Sequence, residues 1–186
     1  MEIKEGRFKT FCRRYGVFTL ACLFSVAIAL AIAFNVEPNS VEPVSTQDEK
    51  FGLPMSNAVV VKDYADDHLQ FNESLNRWEI HLAVDLASEN DSVMSVLDGV
   101  VSSIECNSLD GCKITIEHTG GFVSVYSSLD ENVNVEEGQA VKKGQALGKA
   151  SQSATNESKN GGHLHFELLK NGVEIDPNNY LDLQNK

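Results

Sequence analysis

Basic side chains are scarce in most of this 186-residue sequence, which holds 15 lysines and arginines against 27 aspartates and glutamates. Five of the basic residues lie within positions 1–34 beside two acidic ones, so positions 35–186 carry 10 basic and 25 acidic side chains. Such an excess of negative charge repels a phosphate backbone, and the sequence has no basic stripe of the kind that nucleic-acid-binding proteins use. We therefore expect no nucleic-acid partner.

Charge is absent altogether from positions 15–34, and 20 such residues are enough to cross a hydrocarbon core as a helix. The basic cluster before them and the acidic segment after them predict a cytoplasmic N-terminus and an extracytoplasmic remainder. A cleaved signal peptide is the alternative, because positions 31–33 (Ala-Ile-Ala) are small, although the apolar run is long for one. The sequence thus predicts a single-pass cell-membrane protein with a cytoplasmic segment at 1–14, a transmembrane helix at 15–34 and an extracytoplasmic linker at 35–50.

A helical periodicity is missing from positions 51–186, where apolar residues alternate in short runs broken by Gly, Asn and Asp. Alternation with a period of two is typical of β-strands. We expect one all-β domain over 51–186, built mainly of antiparallel sheets, with Trp78 in its core. The expected strands lie at 58–64, 78–85, 93–104, 112–118, 122–128, 140–147 and 163–169.

Cysteine is rare, with four residues in the chain. Cys106 and Cys112 flank an Asp-Gly pair, which is typical of hairpin turns, so their side chains could meet and form a disulfide outside the cytoplasm. A pair of free thiols is an equally open alternative. A metal site at these cysteines is disfavoured, because nothing nearby completes a set of four ligands.

Histidine occurs at five positions, and two of them lie in the stretch GGHLHFEL. On a strand, His163 and His165 would project from the same face about 6.6 Å apart. Upstream, the stretch HLAVD contains His81 and Asp85. Two histidines, one aspartate and a water would form an open tetrahedral zinc site of the catalytic kind. In a regular strand, however, His81 and Asp85 would lie about 13 Å apart, so they can share an ion only if the chain bends between them.

Taken together, four stretches of the sequence resemble the lysostaphin/LytM-type zinc metallopeptidases, which are family twenty-three of the metallopeptidases. The four stretches are HLAVD (81–85), KITIEHTGGFVSVY (113–126), VEEGQAVKKGQALGKA (135–150) and HLHFEL (163–168). They occur in the family's order, and the resemblance covers about residues 54–182. Members of this family cut peptide cross-links in bacterial peptidoglycan, so the resemblance implies a LytM-like fold and a peptidoglycan-directed site.

The family's site residues can be carried over by position. The resemblance implies one Zn²⁺ ion with His81, Asp85 and His165 as its ligands. It also implies that His163 is a catalytic residue that helps to activate the attacking water or to stabilise the oxyanion. The family motif Y-x-H-L reads YSSL at positions 126–129, so Ser128 takes the place of the second catalytic histidine.

Serine at this position weakens the expected chemistry. It cannot carry a positive charge and is a far weaker proton acceptor than histidine. Losing one acid/base or oxyanion-stabilising group typically costs about 10²–10⁴ in rate. Zinc binding is compatible with the change, because Ser128 does not replace an expected ligand. We therefore expect a zinc-binding domain with weak or absent hydrolysis that acts through protein contacts. An active zinc endopeptidase and a plain membrane-anchored β-domain are the alternatives.

A narrower resemblance rests on the stretch VKDYADDHLQFNESLNRWEIH (61–81), together with the single span and the short linker. These features look like the stage II sporulation protein Q family in its clostridial form. That family lies in the forespore membrane and pairs with stage III sporulation protein AH from the opposite membrane, in a channel-like complex that supports engulfment. The resemblance implies a forespore-membrane interaction protein, a partner similar to stage III sporulation protein AH and a ring-like assembly. Peptidoglycan is a further candidate partner.

Overall fold

The computed structural model describes residues 50–183, and β-strands make up its framework. The strands are β1 (Val59–Lys62), β2 (Ala65–Asn72), β3 (Arg77–His81), β4 (Val84–Ala87), β5 (Ser92–Met94), β6 (Gly99–Asn107), β7 (Gly111–His118), β8 (Phe122–Leu129), β9 (Ala140–Val141), β10 (Ala146–Lys149), β11 (Leu164–Lys170) and β12 (Val173–Ile175). Helix within these residues is limited to three short 3-10 turns, at Thr119–Gly121, Ser158–Asn160 and Pro177–Asn179. The expectation of an all-β domain is confirmed.

One antiparallel sheet of eight strands carries most of the fold. Its order is β1-β4-β11-β8-β7-β6-β9, and β12 pairs with β11. Two further antiparallel pairs, β10 with β5 and β2 with β3, lie outside it. Since β11 is flanked by β4 and β8, its side chains meet residues from distant parts of the chain. This central strand contains one of the two histidines of the HLH motif.

The core follows from the alternation of side chains along β11. Leu164, Phe166 and Leu168 are fully buried, whereas His165 and Glu167 between them point to the opposite face. Tyr126 on the neighbouring strand β8 is also buried, and its ring packs edge-on against Phe166 at a centroid distance of 5.3 Å. One face of β11 thus belongs to the core, and the other is available for polar chemistry.

Several expected strands are shorter than predicted, because the chain turns within them. The expected strand at 78–85 divides into β3 and β4, and the one at 93–104 divides into β5 and β6. Strand β2 and the short strand β12 were missed. In the sequence, the charged positions 66–68 within β2 look like a solvated turn. Among the described residues β2 pairs with β3 alone, and residues 66–69 are all exposed. The strand therefore lacks the alternation of apolar and polar side chains by which strands are predicted.

Trp78 was expected in the core, and this expectation is wrong. Its side chain is 65% exposed on β3 and contacts the ring of Phe71 on β2 at a centroid distance of 5.4 Å. The two aromatic residues are directly opposite each other in the antiparallel register. A cross-strand aromatic pair of this kind stabilises a hairpin without burying it.

Cys106 and Cys112 lie opposite each other across the β6–β7 hairpin. Their Cα atoms are 4.0 Å apart, and their sulfur atoms are bonded in the structure. Strand β7 begins directly after the turn with Gly111 at φ 70°, a left-handed conformation that glycine adopts without strain.

The expected cytoplasmic segment and transmembrane helix lie outside the described residues, as does nearly all of the expected linker. Among residues 50–183, no helix has both the length and the apolarity needed to cross a membrane.

Candidate metal centre

The pairing of β11 with β4 brings two of the expected metal ligands together. In this register His165 lies directly opposite Asp85. The Nδ1 atom of His165 is 2.9 Å from Oδ1 of Asp85, which is completely buried. The other carboxylate oxygen, Oδ2, accepts a hydrogen bond of 3.0 Å from the side-chain amide of Asn160. The aspartate is therefore fixed in position by two partners from outside its own strand.

The third expected ligand reaches the site through a break in the strand. Residues 82–83 separate β3 from β4, and the chain bends there. As a result, Nε2 of His81 lies 3.3 Å from Oδ1 of Asp85, although the two residues are four positions apart. The bend on which a shared ion depends is present in the structure.

A hydrogen bond at Nδ1 of His81 determines which of its two ring nitrogens carries the proton. Its Nδ1 donates to the backbone carbonyl of Asp63 at 2.9 Å, because a carbonyl can only accept. In the neutral ring this leaves Nε2 with a free lone pair that points into the cluster. Nε2 is buried and has no hydrogen-bond partner of its own. A buried acceptor without a donor is the arrangement that a bound metal ion would satisfy.

A fourth donor, Glu157, lies at the same point and was not predicted. One of its oxygens, Oε2, is 2.9 Å from Nδ1 of His165, and the other, Oε1, is 3.7 Å from Nε2 of His81. Donor atoms of His81, Asp85, Glu157 and His165 all lie within 4.8 Å of one another. Glu157 sits in a polar loop without a periodic pattern, so no signal in the sequence singled it out.

His163 borders the cluster from the residue before β11. Its Nδ1 donates to the carbonyl of Gly161 at 2.9 Å, and Gly161 has φ 77°, a left-handed value suited to glycine. Nε2 of His163 is buried without a hydrogen-bond partner, 3.5 Å from Oε2 of Glu157 and 3.9 Å from Oδ2 of Asp85. The structure therefore brings His163 beside the three expected ligands.

Ser128 ends up next to the site, but its side chain is engaged elsewhere. The residue is buried, has φ 60° and donates a hydrogen bond from Oγ to the carbonyl of Ser151 at 3.1 Å. Together with His165 and Glu157 it lines a cavity of about 100 Å³. A wider groove of about 490 Å³ passes His81, Glu157 and His165 on another side. The hydroxyl of Ser128 is thus bound to the backbone at the edge of a small polar cavity.

The charges of the cluster shift its titration strongly. Burial raises the pKa of Asp85, but the nearby imidazoles of His165 and His81 outweigh burial and lower this pKa to about 2. Burial lowers the pKa of His165, but the hydrogen bonds to Asp85 and Glu157 and the charges of both raise it to about 10. Burial opposes ionisation of Glu157 too, yet the nearby imidazoles of His163 and His165 hold its pKa below the ordinary value. The cluster thus favours two carboxylates beside a protonated His165, and although burial lowers the pKa of His163, Glu157 and Asp85 raise it.

Comparison with known proteins shows which protein family this chain belongs to. Residues 79–177 match the family profile described as Peptidase family M23. The chain belongs to this family. The match covers more than half of the sequence and includes His81, Asp85, Ser128 and His165, together with the loop of Glu157. The resemblance to family twenty-three of the metallopeptidases is confirmed.

Individual relatives extend the comparison. Stage II sporulation protein Q of Bacillus subtilis is 36% identical over 110 residues, which are 58% of this chain and 38% of the relative. The peptidoglycan DD-endopeptidase ShyC of Vibrio cholerae is 32% identical over 80 residues, covering 43% of this chain and 18% of the relative. The chain therefore matches well under half the length of either curated relative.

Among solved structures, a chain of the SpoIIQ–SpoIIIAH pore-forming complex is similar to this protein with a TM-score of 0.63 and 30% identity. The similarity covers 73% of this chain and 92% of that one. The resemblance to the stage II sporulation protein Q family, drawn from the sequence, is confirmed by these two independent comparisons.

Proposed function

We propose that this chain is a membrane-anchored M23 domain that acts in sporulation as an interaction protein, with a partner similar to SpoIIIAH. The chain is similar over most of its described part to a protein solved in complex with that partner. The observation that carries the proposal is Ser128, a buried residue whose hydroxyl is bound to a backbone carbonyl at the position of an expected catalytic histidine.

A zinc ion fits the cluster and forms part of the proposal, with His81, Asp85 and His165 as ligands. Zinc accepts neutral imidazole and carboxylate at about 2.0–2.2 Å, so two of its donors in a tetrahedron are about 3.3 Å apart. The donors of His81 and Asp85 are 3.3 Å apart, and those of His165 and Asp85 are 2.9 Å apart. When bound, zinc supplies Lewis-acid chemistry wherever its coordination is open.

Around such an ion, the protein's own residues hold positions rather than complete a reaction. Asn160 orients the carboxylate of Asp85, and the carbonyl of Asp63 orients the ring of His81. Hydrogen bonds of this kind outside the ligand set usually matter for metal affinity by a factor of about 10–100. Ser128 can neither stabilise an oxyanion with a positive charge nor take up a proton near neutral pH. The site keeps its metal-binding half and lacks part of its catalytic half.

The placement in the cell follows from the same relatives and from residues 15–34. We place the N-terminus in the cytoplasm of the forespore, the apolar segment in the forespore membrane, and the M23 domain in the space outside it. There it would meet its partner from the opposite membrane and contribute to a ring-like assembly.

An active peptidoglycan endopeptidase is the second candidate, and one observation favours it. His163 keeps Nδ1 on a carbonyl, which leaves Nε2 free to accept a proton, and this nitrogen points at the cluster. The similarity to ShyC, a DD-endopeptidase, agrees with this candidate. It predicts metal-dependent release of cross-link peptides that His163→Ala abolishes.

Two measurements on the full chain, purified in detergent, separate these functions. The first is digestion of sporulating-cell peptidoglycan by wild type, Ser128→His and His163→Ala. We expect no detectable cleavage by wild type and a gain in the Ser128→His variant. The second is binding of the extracytoplasmic domain of the SpoIIIAH-like protein from the same organism, which we expect for all three proteins.

Cleavage by wild type at the rate of the Ser128→His variant, lost in His163→Ala, would establish the endopeptidase instead. Absence of binding to the SpoIIIAH-like domain would refute the interaction role, whatever the result of the digestion.

A further inference from the structure

Glu157 is a buried carboxylate that lies outside the four stretches on which the family resemblance rests. Its side chain is only about 6% exposed, although it lies in a loop. Placing an ionised carboxylate in the interior is costly unless other groups compensate for its charge. Two groups do so here: Lys62 at 3.2 Å and His165 at 2.9 Å. The loop therefore turns a charged side chain inward, to the same point that the three expected ligands share.

The backbone on both sides of Glu157 is fixed to the β2–β3 hairpin. The carbonyl of Asn156 accepts a hydrogen bond of 3.1 Å from the side chain of Asn72. Beyond Glu157, the backbone N–H of Lys159 donates to the hydroxyl of Ser74 at 3.0 Å. The loop is thus anchored just before and just after the glutamate. A carboxylate presented from an anchored loop loses little further conformational entropy when it binds.

The distances around Glu157 are those of a ligand set. Its oxygens lie 2.9 Å from Nδ1 of His165 and 3.7 Å from Nε2 of His81, close to the spacing of about 3.3 Å expected between zinc donors. An open M23 site with two histidines and one aspartate leaves its fourth position to solvent. We propose that Glu157 is a fourth protein ligand that closes the metal site of this chain and converts it to a structural site.

This inference rests on the proposed metal binding by His81, Asp85 and His165. It adds a second reason for weak hydrolysis, independent of Ser128, because four protein ligands leave no coordination position open to a substrate. The competing explanation is that Glu157 only neutralises Lys62, on strand β1, and leaves the metal site open. The two explanations differ in what happens when either partner of that ion pair is removed.

Cobalt(II) gives a readout that does not depend on activity, because its visible absorption reports coordination number and geometry. The full chain is purified in detergent, stripped with a chelator and titrated with Co²⁺, with and without acetohydroxamate as an external ligand. The proteins are wild type, Glu157→Ala, Glu157→Gln and Lys62→Gln. A matched control is Glu117→Gln, since Glu117 is exposed on strand β7 and lies outside the four-donor group. Circular dichroism establishes that each variant is folded.

A closed site predicts a four-coordinate spectrum in wild type that acetohydroxamate does not change. Lys62→Gln and Glu117→Gln should keep this spectrum, with Co²⁺ affinity within about threefold of wild type. Glu157→Ala should bind Co²⁺ at least about tenfold more weakly, because even the loss of a group outside the ligand set typically costs about 10–100-fold in metal affinity. The spectrum of this variant should also shift when acetohydroxamate is added. Glu157→Gln keeps the size of the side chain and should weaken binding in the same direction if the alanine variant does not fold.

A wild-type spectrum that responds to acetohydroxamate would overturn the inference while leaving the three-ligand site intact. Equal losses in Glu157→Gln and Lys62→Gln would also overturn it, in favour of the ion pair alone. If wild type binds neither Co²⁺ nor Zn²⁺, the inference fails together with the proposed metal site, but binding of the SpoIIIAH-like partner is unaffected and is judged by its own assay.

Discussion

His165 is the residue at which the charges of the site converge. Its imidazole faces Asp85 on β4, Glu157 in the loop before β11, Glu167 two residues ahead, and the ring of His81 at a centroid distance of 5.3 Å. Burial disfavours imidazolium, but the adjacent carboxylates of Asp85 and Glu157 outweigh it and raise the pKa of His165 to about 10. A metal ion must displace this proton, so proton and metal compete for the same nitrogen.

This competition predicts how stability depends on pH. A raised pKa of His165 stabilises the metal-free fold fully below about pH 6.5 and ceases to do so as the pH rises through about 10. The lowered pKa of Asp85 stabilises the fold above about pH 3.8 and ceases to do so as the pH falls through about 2. We expect the free energy of unfolding of chelator-treated protein to be highest between about pH 4 and 6.5 and to decline toward pH 10.

With zinc present, the decline toward high pH should shrink or reverse, because the ion takes the place of the proton and binds more tightly as protons leave. Urea unfolding at pH 5.5 and pH 9, with chelator or with zinc, measures both trends. His165→Gln supplies the control, since it removes the titrating group. The same pH dependence in wild type and in this variant would contradict the assignment to His165.

The residues of the site could be predicted from the sequence only where they belong to a recognisable motif. His81, Asp85, His163 and His165 stand in short stretches with a fixed spacing, and the fold brings all four together. Glu157 could not be found this way, because its role depends on a loop whose course is set by hydrogen bonds to a distant hairpin. The sequence contains many acidic residues, and nothing in its composition indicates which of them turns its side chain into the interior.

At the scale of the strand, β11 supports both the core and the site. Its alternation places Leu164 in the core and the adjacent His165 in the metal centre. Loss of core packing on this strand should therefore affect stability far more than an equal change on the exposed hairpin. Leu69 on β2 offers the comparison, because it is 55% exposed whereas Leu164 is completely buried.

We expect Leu164→Ala to lower the free energy of unfolding by about 2–5 kcal/mol, the range for a large-to-small change in a packed core. The matched change Leu69→Ala should stay within about 0.5 kcal/mol of wild type, as surface substitutions usually do. Urea unfolding of the full chain in detergent, followed by circular dichroism, measures both. Equal losses in the two variants would mean that the β2–β3 hairpin contributes to the core as much as β11 does.

The strands were predictable in type but not in length. Alternating apolar residues predicted β11 and β8 closely, because both lie inside the sheet and bury one face. The break at residues 82–83 was not visible in the pattern, since Ala83 and Val84 are as apolar and as buried as a continuous strand would require. The requirement that His81 and Asp85 share an ion was the only indication of a bend, and it came from chemistry rather than periodicity.

At the scale of the whole chain, positive and negative charges are distributed unevenly along the sequence. The segment before position 35 has a net positive charge, and the remainder has a strong excess of acidic residues. This asymmetry suits a short cytoplasmic end and an extracytoplasmic domain. An acidic domain is also repelled by anionic wall polymers, which agrees better with a protein partner than with tight binding to the cell wall.

The membrane span proposed for residues 15–34 gives the last prediction. If they form an uncleaved span, the full chain expressed in sporulating cells should stay in the membrane fraction through alkaline carbonate extraction, at the mass of all 186 residues. Replacing Ala27 and Ala29 by arginine should disrupt the span, because each charge at the centre of a membrane helix costs about 2.5–3.5 kcal/mol on insertion scales. Adding the same two charges at Ser45 and Thr46, in the polar linker, is the control and should leave extraction unchanged. Recovery of a shorter, carbonate-soluble wild-type product would identify the segment as a cleaved signal peptide, and the domain would then have to reach its partner without an anchor.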